Sequence, residues 1–90
     1  MANYFEHLEH ETAIELEQLS RLLFELRENR SAVLQPYGVE NEAELLQQIQ
    51  AGTVAEHPAY EHYLAARILA DTRDTVRAVV SERVTEVNLK

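Results

Sequence analysis

Every strong helix breaker in this 90-residue chain falls inside one short stretch. The two prolines and two glycines are Pro36, Gly38, Gly52 and Pro58, so residues 1–35 and 59–90 contain none. Proline removes a backbone donor and clashes with the preceding turn, and glycine costs about 1 kcal/mol in a helix interior. Two long uninterrupted segments with a broken middle are therefore the arrangement that the backbone chemistry favours. What remains is whether the side chains of each flank follow a helical period.

They do. Phe5, Leu8, Thr12, Leu16, Leu19, Leu23 and Leu26 recur in steps of three and four, the spacing that lines one face of a helix. At about 100° per residue these positions, with Tyr4, Leu22, Val33 and Leu34, fill an arc of roughly 120°. The first helix is expected over residues 3–33, with Asn3 as its cap and Glu6 three residues on. In the C-terminal flank, Leu64, Ala65, Ile68, Leu69, Thr72, Thr75, Val76, Val79, Val80 and Val87 cover roughly 160°. That helix is expected over 58–84, with Pro58 in its first turn. Between them, Asn41 followed by Glu44 reads as a capping box, and Gly52 as the residue past a C-terminus, so a short helix is expected over 42–51.

The fold class that follows is all-α, one domain over residues 1–90: two long antiparallel amphipathic helices with a short connecting helix. One neighbour nearly covers the 120° arc of the first helix, but the wider arc of the last exceeds what this chain can bury. The expected solution is a four-helix-type bundle, with coiled-coil-like seams, formed through homodimerisation. Its dimer face centres on Leu64, Ile68, Thr72, Thr75, Val76, Val79 and Val80 of the last helix. Another protein is the other partner class that such a face serves.

Composition excludes several functions. There is no cysteine, hence no disulfide, thiolate metal site or thiol nucleophile, which suits a reducing, cytoplasmic setting. The first residues, MANYFE, have neither a basic stretch nor an apolar run of the secretory kind. No apolar run approaches the ~20 residues of a membrane span. The formal charge is −8: residues 1–63 hold three Arg against twelve Glu, and residues 64–90 hold five basic groups against four acids. A chain this acidic lacks the basic surface that tracks a phosphate backbone, so neither nucleic acid nor a membrane is an expected partner. The acidic first helix and the arginine-richer last helix suit antiparallel packing.

Few residues look like chemistry. His7, His10, His57 and His62 lack the Glu-x-x-His and His-Glu-x-x-His spacings of bundle metal sites, and no metal or other cofactor is expected. Glu15 and Glu61 fall inside apolar arcs, where a carboxylate needs a partner. With a hairpin pivoting near Val33 and Pro58, Arg30 comes level with Glu61, and a structural ion pair Arg30–Glu61 is expected. Glu15 then comes level with Val76, within reach of Arg73 or Arg83. Tyr37, His57, Tyr60, Glu61, His62 and Tyr63 form the densest aromatic and polar group and are the candidate pocket or recognition patch. Arg67, Arg73 and Arg77, with Asp71 and Asp74, read as a solvated mixed-charge face.

No phosphate loop, nucleophile elbow or catalytic triad is present, and no catalytic residue is assigned. The expected function is that of a small non-enzymatic interaction protein: an adaptor, chaperone or regulatory subunit. The alternatives are a bundle binding a metal or small ligand through Glu15, His57, Glu61 and His62, and an antitoxin-like or transcription-associated regulator.

Overall fold

A computed structural model describes residues 4–88, with side chains over 9–87. The expected cap at Asn3 and the side chain of His7 lie outside the described residues. The chain is all-α. Helix α1 spans Tyr4–Leu34, a single 3-10 turn follows at Gln35–Tyr37, α2 spans Glu42–Ala51 and α3 spans Glu56–Asn88. The two long helices lie against each other, and α2 packs chiefly on α3.

The breakers act where the sequence places them. Pro36 sits in the 3-10 turn, which ends at Gly38 in the left-handed region (φ 65°), its N–H donating to Gln35 O at 3.0 Å. The Asn41 side chain accepts from the Glu44 N–H at 2.9 Å, capping α2. The reciprocal bond is displaced by one residue from a capping box. Glu44 Oε2 accepts from the N–H of Glu40, not of Asn41. Helix α2 ends at Gly52 (φ 75°), and the N–H of Thr53 reaches back to Gln48 O at 3.1 Å, the six-to-one bond of a Schellman ending. At the entry to α3, His57 has an extended backbone (φ −108°, ψ 128°) and the His57–Pro58 bond is cis.

Burial is concentrated at one end. Leu34, Leu45, Ala59 and Ala66 form the core cluster, with Val33, Tyr37, Val39, Ile49, Val54 and Tyr63 packed around it. Leu34 and Leu45 are the large side chains that are almost fully buried. The alanines on α3 have no bulk beyond Cβ, so α2 can approach it closely there. Further along the hairpin, the described seam has only Leu26, Ala70 and Val76 buried. The molecule is a rod of 66 × 19 × 16 Å. Its radius of gyration is 18.5 Å, against about 12 Å for a globular chain of this length.

The register differs from a hairpin pivoting at Val33 and Pro58. Arg83 Nε donates to Glu15 Oε1 at 2.9 Å, tying the open end of the rod. This places Glu15 level with Arg83 and not Val76, a slip of two helical turns. By the same register, Arg30 is level with Ile68. The first two turns of α3 run past the end of α1, alongside the 3-10 turn and α2. Sequence pattern fixes which face of a helix turns inward, but leaves the axial offset to the geometry of the connection.

Candidate functional site

The register slip rearranges the expected ion pair. Arg30 does not bond Glu61, which lies about 10 Å further along α3 at 1.5 Å per residue. Arg30 instead meets α2: its Nε and Nη2 donate to Glu42 Oε2 at 3.0 and 2.6 Å, with both side chains largely shielded. Glu61 is exposed and bonds within its own helix, 2.7 Å from His57 Nδ1. That hydrogen bond raises the His57 pKa above its ordinary value and lowers that of Glu61. Glu15 belongs to the far end of the rod, so the structure does not bring it to His57, Glu61 and His62. Among the described residues, no group of three or more His, Asp or Glu side chains is arranged to hold a metal ion. No helix among them is long and apolar enough to cross a membrane.

The aromatic cluster at the closed end is real but divided. The Tyr37 hydroxyl and His62 Nδ1 are hydrogen-bonded, their rings edge to face at 5.6 Å. Gln48 Nε2 donates to the Tyr37 carbonyl at 3.4 Å, joining the turn to α2. Tyr60 stacks on Tyr63 with centroids 5.9 Å apart, and Tyr63 continues into the core. Tyr37, His62 and Tyr63 thus close the end of the rod. Tyr60, His57 and Glu61 face outward. None of these six residues lines the open depression at this end, which lies beside Gly38, Gln47 and Thr53.

Of the expected dimer face, Leu64, Ile68, Thr72 and Thr75 are exposed on α3, Leu64 at 38% and Ile68 at 64%. Val79 and Val80 are half-buried. Val76 is the exception: it is buried, at 8% exposure, against the intrachain seam with α1. Leu64, Ile68, Thr72, Thr75 and Val79 follow one another in steps of four and three, within about 80° of the helix surface. The Thr72 and Thr75 hydroxyls donate to the carbonyls of Ile68 and Asp71, at 2.8 and 3.2 Å, and so are internally satisfied.

The opposite flank of the hairpin holds what the sequence pattern did not announce. A groove of about 340 Å³ runs between α1 and α3. Leu23, Leu26 and Leu69 line its apolar part, Phe24 stands at its lip at 58% exposure, and Arg27, Arg30, Arg73 and Arg77 surround it. Four of the chain's seven arginines therefore converge in a protein of net charge −8. Arg30 is neutralised by Glu42 and Arg73 by Asp74, at 3.1 Å. Arg27 and Arg77 have no carboxylate partner among the described residues. The signal available in the sequence was the pair of short spacings, Arg27 with Arg30 and Arg73 with Arg77. The true register is needed to bring them level.

A family model matches residues 5–87, almost the whole described rod, under the description Uncharacterized protein MJ0235 family. The chain belongs to the MJ0235 family. No curated protein and no solved structure matches it. Membership in the MJ0235 family carries no activity with it, so function rests on the two flanks of the hairpin just described.

Proposed function

We propose that this MJ0235-family chain is a small non-enzymatic interaction protein that works by protein–protein contact. The contact face is the exposed stripe of α3, and its first partner is a second copy, giving a four-helix-type bundle. The observation that carries this reading is Ile68, 64% exposed and second along the Leu64–Val79 stripe. A branched aliphatic side chain left in water along a row of apolar and internally satisfied positions forgoes roughly 1.5 kcal/mol or more of burial. Contiguous patches of this kind mark interaction sites. The thin seam between α1 and α3, with Leu26, Ala70 and Val76 as its buried side chains, supports the same reading, since short domains commonly gain stability by oligomerising.

Light scattering on purified protein tests it. The expected mass at micromolar concentration is twice that of the chain, and Ile68→Glu should weaken this association at least about tenfold, because a carboxylate is then buried without a partner. A wild-type mass equal to one chain, or an Ile68→Glu protein that associates as tightly as wild type, would overturn the assignment of this face.

A further inference from the structure

The arginine groove lies on the other flank, and its continuation toward the closed end is already occupied. There α2 fills the space beside α1 and α3, with Leu45 in the core and Glu42 bonded to Arg30 at the groove's edge. The fold thus contains one worked instance of a helix settling on this flank and presenting a glutamate to one of its arginines. Past Glu42 the groove is uncovered, and Arg27 and Arg77 remain without carboxylates.

The complementary charge lies in the same chain but cannot reach the groove within one copy. Residues 1–20 contain five glutamates and no lysine or arginine. On α1, Glu9, Ala13, Glu17, Ser20, Phe24 and Arg27 are all exposed and fall within about 80° of one another. This outer stripe is acidic at its N-terminal end, small in the middle, and aromatic and basic at its C-terminal end. Glu17 and Arg27 are about 15 Å apart along one continuous helix, so Glu17, which within its own helix reaches Arg21 at 3.7 Å, cannot fold back onto Arg27. A second helix of the same sequence, running antiparallel, brings opposite charges together at both ends of the stripe.

We propose that the groove receives the acidic N-terminal half of α1 from a second copy, in a twofold, antiparallel contact. With Ser20 of the two copies facing each other, Arg27 comes level with Ala13 of the second copy, between its Glu9 and Glu17. Phe24 lies over the small side chains near the centre. Arg77, on the far wall of the groove and level with Arg21 by the hairpin register, meets Glu17 of the second copy from the other side. The contact is isologous, so each groove takes the other copy's glutamates. It rests on the interaction-protein reading but uses a surface separate from the α3 stripe. It adds a second, weaker axis, by which dimers built on α3 pair further above micromolar concentration.

A charge exchange tests it, carried out with Ile68→Glu present throughout so that the α3 face is silenced. One protein carries Glu9→Arg with Glu17→Arg, and the other carries Arg27→Glu with Arg77→Glu. All four side chains are exposed and make no bond between helices, so circular dichroism should show unchanged helicity. Each protein alone sets like charges against like in this contact and should be monomeric by native mass spectrometry. Mixed, they should form a one-to-one pair, with affinity at least about tenfold above either self-association. Raising salt from about 0.05 M to about 0.5 M should weaken that pair, whereas an apolar contact through α3 would not weaken. Failure of the mixture to pair, or self-association of either variant as strong as that of Ile68→Glu alone, would overturn the proposal. Neither result touches the α3 face, whose own test is the loss of association from wild type to Ile68→Glu.

Discussion

His57 and Glu61 show how a residue's environment departs from its address. Both stand in the first turns of α3, and Glu61 falls within its apolar arc, which invited a search for a buried partner. Because α3 overshoots the end of α1 by two turns, Glu61 is exposed and its partner is four residues away on its own helix. The consequence is a titration with a definite sign. The His57 pKa is raised by hydrogen bonding to Glu61, so the pair's contribution from His57 is present below about pH 6.5 and fades as pH rises through the raised value. Glu61 is lowered by the same bond, so its contribution is present above its ordinary carboxylate range and fades as pH falls through the lowered value. The pair is therefore strongest between those two limits. By NMR, the His57 ring should titrate above pH 6.5, and Glu61→Gln should bring its midpoint down; an unchanged midpoint would remove Glu61 as the cause. Glu15 was more legible. Its place in the α1 arc called for a cation, and Arg83, one of the two arginines within its expected reach, supplies it.

At the scale of elements, the local rules of capping and breaking carried most of the information. The bounds of α2 follow from Asn41 and Gly52, whose signals act over three or four residues and need no tertiary context. Helix α1 runs one residue past its expected end, and α3 runs four residues past its own, to Asn88, since β-branched residues cost only a few tenths of a kcal/mol of helix propensity. Gly52 is a sharp test of the α2 ending. A Cβ there would meet nothing within 4 Å, yet its φ of 75° is one that L-residues adopt at a cost. Gly52→Ala should therefore destabilise the protein by about 1–2 kcal/mol through the backbone alone. Asn41→Ala should cost about 1 kcal/mol through loss of the Glu44 N–H bond. Urea unfolding of the two variants measures both. What the element scale left out was the axial offset between α1 and α3, set by the 3-10 turn and α2. That offset decides which arginines become neighbours, so the groove was invisible until it was known.

For the whole molecule, the sequence made the class and the antiparallel pair legible, because they follow from two periodic segments and a broken middle. It did not show that packing is so unequal along the rod. Three elements share the core at the closed end, and two helices share a thin seam elsewhere. Leu45, wholly buried, should be among the most sensitive positions: Leu45→Ala is expected to cost about 2–5 kcal/mol. Leu19, only partly buried in the seam, should cost less on the same change. Thermal unfolding compares them, and amide exchange should be slowest in α2 and the parts of α1 and α3 that flank it.

The 66 Å length has a hydrodynamic consequence. A radius of gyration of 18.5 Å is what a globular chain of about 270 residues would have, three times this one. A single copy therefore drags through solvent more than a sphere of its own mass does, and its elution from a sizing column would overstate that mass. Mass itself, by scattering or spectrometry, counts copies without regard to shape, and the ratio of the two readings reports how side by side or end to end those copies lie.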